Sequence, residues 1–213
     1  MPLNGPSIRA LLLRSARCRE HFPPRPAGYA GQWPKTIEDI EAGRTPWLWL
    51  DPFISENLGV NSYDVTLDRK LLVYRRPGDG VLDAHKENPT DEVYIPVAGL
   101  VLDPGKLYLG STRERVYTRD LVPDVDGRSS VGRLGLSVHV TAGRGDLGFR
   151  GTYTLEITVV HPVRIYPGDR IAQLYFDPPT VYPTVDDQPV DYKGRYQEQS
   201  GATPSRFHQA TPQ

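Results

Sequence analysis

The chain has a single cysteine, Cys18, in 213 residues. An internal disulfide framework is therefore excluded, and the composition suits a reducing compartment. No apolar run approaches the roughly 20 residues of a spanning helix. The Leu11-Leu12-Leu13 triplet is flanked by arginines and lacks the apolar core of a signal peptide, so no leader is expected. Charge of one sign is also lacking: the net value is −1, which leaves no basic field for nucleic acid. His85-Lys86-Glu87 has the H-x-E form of zinc deaminases, but the P-C-x-x-C pair they need downstream is missing. There is no internal repeat. These absences leave the expectation of a cytoplasmic protein that binds neither membrane nor nucleic acid, long enough for one domain with a full core.

What is present favours β structure. There are 12 tyrosines, 21 prolines and many short Val, Leu, Ile and Thr runs. Strands are expected over 47–50, 62–67, 71–74, 93–95, 100–102, 107–109, 115–117, 136–140, 152–159, 163–165 and 171–176. Turn signals stand at 77–80, 103–105 and 167–169. Short strands at this spacing predict an all-β sandwich or a barrel-like jelly roll. Two short helices are expected before them. The first covers 7–17, with Ile8, Leu11, Leu12 and Ala16 on one face. The second covers 36–42, with Thr36 as N-cap and Gly43 as C-cap. An irregular arm rich in proline and aromatics joins the two. The expected organisation is an N-terminal region (1–46) packed on the core, a β domain (47–176) and a tail (177–213) rich in Pro, Gln, Gly and Ser.

Chemistry concentrates in residues 128–156, RSSVGRLGLSVHVTAGRGDLGFRGTYTLE. Arg128 and Arg133 offer guanidinium forks that match phosphate geometry. Ser129 and Ser130 add short hydroxyls. Asp146 and Glu156 are carboxylates, and Glu156 lies inside a strand-like run where a charge needs a cleft or a partner chain to receive it. General acid–base chemistry needs a group that takes a proton from water and returns it elsewhere. The plain alternatives are a polar loop for 128–133, a turn residue for Asp146 and an exposed strand residue for Glu156. His85 reads as solvated, and His139 as a satisfied core or interface histidine.

These stretches resemble one family. RSSVGRLG, HVTAGRGDLGF and GTYTLEI are similar to the motifs of dCTP deaminase, a member of the trimeric dUTPase-like superfamily. DPFISENLGVNSYDVTL, LVLDPGKLYLGSTRERV, YPGDRIAQLYF and RYQEQSGATPSR extend the resemblance over about 47–206. It implies a distorted jelly roll (a dUTPase-like β-barrel) with short N-terminal helices, assembled as a homotrimer with active sites at subunit interfaces. It implies hydrolytic loss of ammonia from C4 of the cytosine of dCTP, giving dUTP, without zinc and with Mg2+ carried on the triphosphate. By the same resemblance Glu156 is the general base and acid. Ser129, Arg133 and the carbonyl of Ala142 position water and pyrimidine. Arg128 and Ser130 of a neighbouring subunit bind phosphates, and Asp146 accepts from the 3′-hydroxyl. Phe149 packs under the sugar, and Thr154 and Leu155 meet the base through their backbone. Gln173 lies near the nucleotide, while Tyr192, Arg195 and Gln199 cover the triphosphate. The family's Ile-Asp-Pro is Gly145-Asp146-Leu147 here, Arg195 stands where the tail has Lys, and 15–44 looks inserted, with extra trimer contact as its expected role. Two alternatives remain. One is a bifunctional enzyme that carries dUTP on to dUMP and pyrophosphate, a branch that Gly132, Gly143 and ATPSR resemble. The other is a non-enzymatic nucleotide-sensing trimer.

Overall fold

The computed structural model describes residues 4–6, 8, 48–118, 121–177, 184–185, 188–189 and 192–209. Most of the two expected N-terminal helices lies outside these residues; Gly5, Pro6 and Ile8 are helical, and Ile8 is fully buried. The rest is almost wholly β, and every strand pairing described is antiparallel.

Two sheets position the chemistry. The first runs β4 (Thr90–Tyr94), β3 (Lys70–Tyr74), β6 (Tyr108–Ser111), β11 (Thr154–Val159), β9 (Leu136–Ser137). The second runs β2 (Tyr63–Thr66), β13 (Arg170–Asp177), β8 (Val122–Gly127). A third places β7 (Arg115–Thr118) between β1 (Leu48–Asp51) and β10 (Arg150–Gly151). β5 (Leu100–Leu102) pairs with β12 (Val163–Ile165), and β14 (Thr184–Val185) with β15 (Gln188–Pro189). The core lies between these sheets, with Tyr63, Val65, Leu71, Leu155, Ile157, Ile171, Leu174 and Phe176 all buried. β11 shows how pattern becomes geometry. Leu155, Ile157 and Val159 enter the core, so the period of two turns Thr154, Glu156 and Thr158 to the other face.

Several boundaries differ from the sequence expectation, each for a physical reason. β8 was not foreseen, because Pro123, Asp124 and Asp126 obscure its apolar alternation. It is the outer strand of its sheet, paired along its length with β13 and on its other side only by a short bridge to residues 143–145, where Pro123 accepts from Gly145 N and needs no N–H of its own for the β13 ladder. The expected strand over 136–140 ends at Ser137. Beyond it the backbone turns to the Glu156 side chain, whose Oε2 accepts from Val140 N at 2.7 Å. The expected strand from 152 begins at Thr154, because Thr152 and Tyr153 form a corner. There Thr152 N donates to Gln199 O, and Tyr153 N to Thr112 Oγ1. The loop expected after Gly127 contains a single helical turn, α1 (Ser129–Gly132). His139, expected in a strand, lies outside one.

Candidate active site

Glu156 is half-buried on β11 and tied at two points to the segment that leaves β9. Its backbone N donates to Val138 O at 2.8 Å, and its carboxylate holds Val140 N. Among the described residues no donor is bonded to Oε1, so one carboxylate oxygen is fixed by the backbone and the other is free for a ligand. Beside it opens a cavity of about 410 Å³. Asp146, Phe149, Thr154, Tyr192 and Gln199 line it with Glu156. The side chain of Leu155 is in the core, which leaves only its backbone for a ligand, and Ala142 is exposed in the turn before Gly143.

The outer wall is made by the tail. Residues 192–209 are threaded onto the β10–β11 corner by hydrogen bonds. Glu198 N donates to Arg150 O (2.7 Å), Gln199 Nε2 to Thr152 O (2.6 Å), Gln197 Nε2 to Gly148 O (2.8 Å) and Thr203 N to Thr154 Oγ1 (3.1 Å). Further on, Ser205 N donates to Tyr74 OH (2.8 Å). The Glu198 carboxylate is ion-paired with Arg115 and Arg150, and its backbone takes a left-handed φ of 63°. Phe149 stacks on Tyr153 at 4.9 Å and meets Tyr192 edge-on at 6.0 Å, so the aromatic floor and the tail share one contact. Sequence reasoning missed Tyr74, Tyr153, Tyr196, Thr203 and Ser205, which all line the cavity. Tyr153, Tyr196, Thr203 and Ser205 lie within the GTYTLEI and RYQEQSGATPSR motifs but received no role there, and Tyr74 had no signal beyond the tyrosine-rich composition, because only the tail's path brings it to Ser205.

The basic and hydroxylic residues stand elsewhere. Arg128, Ser129, Ser130 and Arg133 do not line this cavity. Ser129, Ser130 and Arg133 are exposed on and just after α1, and Arg133 Nη1 reaches back only to Ser129 O. Arg128 is held by the second sheet, with Nη2 3.0 Å from Asp64 Oδ2 and Nη1 donating to Arg170 O. Gln173, directly across from Asp64 in the β2–β13 ladder, donates to Asp64 Oδ1 at 3.0 Å and so belongs with Arg128. Arg195 is exposed, and its carbonyl accepts from the Arg206 guanidinium. His139 is half-buried, with Nε2 3.5 Å from Asp126 Oδ1 and Nδ1 without a partner among the described residues. His85 is exposed and edges onto Phe207.

Two buried groups show the electrostatics of the fold around the site. The Glu114 carboxylate has no exposed surface and accepts from Thr66 N (2.9 Å) and Thr66 Oγ1 (2.8 Å). Burial raises its pKa against the lowering effect of those bonds. Burial likewise pushes the Tyr63 phenol up to about 12. Among the described residues no three His, Cys, Asp or Glu side chains converge as metal ligands. None is long and apolar enough in helical form to span a membrane.

The fold is of a β-rich class that has been solved before. The chain superposes on the 2′-deoxycytidine 5′-triphosphate deaminase of Agrobacterium tumefaciens with a TM-score of 0.54 over 82% of its length, at 18% identity. It spans 46% of that larger chain. A family model described as dCTP deaminase-like matches residues 38–178. A protein of Hathewaya histolytica named "dCTP deaminase, dUMP-forming" is 47% identical over 159 residues, covering 74% of this chain and 87% of that one. A protein of the same name from Leptospira biflexa is 46% identical over 160 residues, covering 75% and 87%. The chain belongs to the dCTP deaminase-like family.

Proposed function

We propose that this enzyme hydrolytically deaminates dCTP and carries the product to dUMP and pyrophosphate. The observation that carries the first step is Glu156, with one carboxylate oxygen fixed by Val140 N and the other open beside the cavity. Such a group takes a proton from water as the oxygen adds to C4 of the cytosine. It then passes protons to ring N3 and to the departing amine, which leaves as ammonia while the C4 oxygen becomes the uracil carbonyl. No zinc enters this scheme. Asp146 accepts from the 3′-hydroxyl, Phe149 lies under the sugar, and the Thr154–Leu155 backbone faces the base. The onward step, in which water releases pyrophosphate from dUTP, is supported by the names of the relatives and by Gly132 and Gly143. At Gly143 a Cβ would meet Val125 O at 2.7 Å, so this turn admits only glycine without moving β8.

The site needs a second copy of the chain. One face bears Glu156, Asp146 and the tail; the other bears Arg128, Ser129, Ser130, Arg133 and Gln173. The exposure of α1 and its separation from the Glu156 cavity support an arrangement in which a neighbouring copy supplies the second face, as in a closed homotrimer. Arg128 and Ser130 then bind phosphate, and Ser129 and Arg133 face the water and pyrimidine. Mg2+ fits as a companion of the triphosphate. It is an ion that keeps its waters and prefers phosphate oxygens to an all-protein cage, and the nearby Asp64 is already committed to Arg128 and Gln173. Bound there, it would offset phosphate charge. The test is incubation with dCTP and Mg2+ while ammonia, dUTP, dUMP and pyrophosphate are followed. Ammonia with dUMP and pyrophosphate is expected. Accumulating dUTP would restrict the enzyme to deamination, and no turnover with retained binding would make it a sensor.

A further inference from the structure

Tyr153 has no part in the scheme above, yet it lines the same cavity. It is 8% exposed, and its hydroxyl is buried without a hydrogen-bond partner among the described residues. A buried phenol in that state is costly and calls for an explanation. Gln199, also 8% exposed, is the second such group in the wall. Its Nε2 is spent on Thr152 O at 2.6 Å, which fixes the orientation of the amide and leaves Oε1 as a buried acceptor with no partner among the described residues. Asp146, Tyr153 and Gln199 line the same cavity, and the Asp146 charge acts on the phenol, so two acceptors and one O–H stand in its wall. A phosphate oxygen offers no proton to Asp146 or Gln199 Oε1 and is repelled by both, so Gln199 is assigned to this end of the site and not to the triphosphate, the place the resemblance implied for it. A neutral hydroxyl both donates and accepts, and it suits the set. The ring of Tyr153 lies against Phe149, the residue placed under the sugar, so the phenol belongs at the sugar end of the site.

We propose that Tyr153 is a specificity-determining residue. Its O–H donates to the ligand hydroxyl whose own proton goes to Asp146, so that the phenol gains its missing partner only when a 2′-deoxynucleotide carries a free 3′-hydroxyl. The proposal rests on the dCTP reading and adds a contact to it. Burial and the nearby Asp146 charge both raise the Tyr153 pKa, so the phenol remains a donor throughout the neutral range.

The experiment compares kcat/KM for dCTP and for 2′,3′-dideoxycytidine triphosphate in the wild type and in Tyr153→Phe, with the thermal midpoint of each. The wild type is expected to prefer dCTP, and the variant to lose about 3- to 10-fold of that preference, the worth of one neutral hydrogen bond. The melting temperature should hold or rise, because an unpaired buried hydroxyl has been removed. A merely structural role would lower the melting temperature and slow both substrates equally, and that result would overturn the assignment. An unchanged preference in a stable variant would overturn it as well. A wild type that processes neither nucleotide would instead strike the underlying reading.

Discussion

At the residue scale the central feature is a carboxylate on a strand whose other charges are absent. Glu156 is tolerated there because the β11 alternation turns it away from the core and because Val140 N supplies a hydrogen bond that a continued β9 ladder would have used. Glu156→Gln is expected to lower deamination by about 10²–10⁴-fold, the usual worth of acid–base catalysis. Calorimetric dCTP affinity should stay within about threefold, since the two side chains are nearly isosteric; a variant with full turnover would refute the role. Glu114 gives a second expectation. Its folded pKa is raised, so the folded protein keeps a proton that the unfolded chain releases near 4.5. Its contribution to stability is therefore complete below that pH and is lost as pH rises through the folded value. Glu114→Gln removes this loss, and the melting temperature of the variant should gain on the wild type from about pH 4.5 upward. A difference between the two that does not change with pH would show that Glu114 does not titrate across that window.

At the scale of elements, the tail and the β10–β11 corner act as one unit. Gly151 is where they touch most closely. Its φ is 156°, and a Cβ there would meet Gln199 O at 2.7 Å and Gln199 N at 3.1 Å, both backbone atoms that cannot rotate aside. Gly151→Ala should therefore push the tail off the corner. The expected cost is about 1–3 kcal/mol, the range for overpacking a close contact. Faster proteolysis within 192–209 and a raised KM for dCTP should accompany it. A variant that melts lower but keeps the wild-type KM would mean that the tail wall does not help to hold substrate. β8 carries the complementary lesson. Its outer position, bridged only briefly to residues 143–145, makes Pro123 acceptable, and its pairing with β13 delivers Arg128 beside Asp64.

At the scale of the whole molecule, the proposed site draws one face from each of two copies of the chain. Glu156→Gln and Arg128→Ala are each expected to be inactive as pure proteins. Mixed in equal amounts and reassembled, they should recover about a quarter of the wild-type sites if each site draws one face from each of two copies. Recovery of nothing would place all the working residues on a single chain.

Much of this protein could be read from its residue order alone. β5 and β12 have the expected limits, and the other apolar runs foreseen as strands have strands at or near their positions, because a period of two needs only local sequence to be visible. The motif residues carried the family, and Asp146, Phe149, Thr154, Glu156, Tyr192 and Gln199 do gather at one cavity. What the order of residues could not decide was which of the remaining candidates stand together. That Arg128 and Gln173 share Asp64 rather than the Glu156 cavity follows from a sheet in which β13 lies between β2 and β8. That Tyr74, Tyr153 and Ser205 face one space follows from the course of the tail over the β10–β11 corner. Hydrogen bonds between segments far apart in sequence, such as Gln173 with Asp64 and Ser205 with Tyr74, leave no periodic trace in the chain, so only the folded structure could decide them.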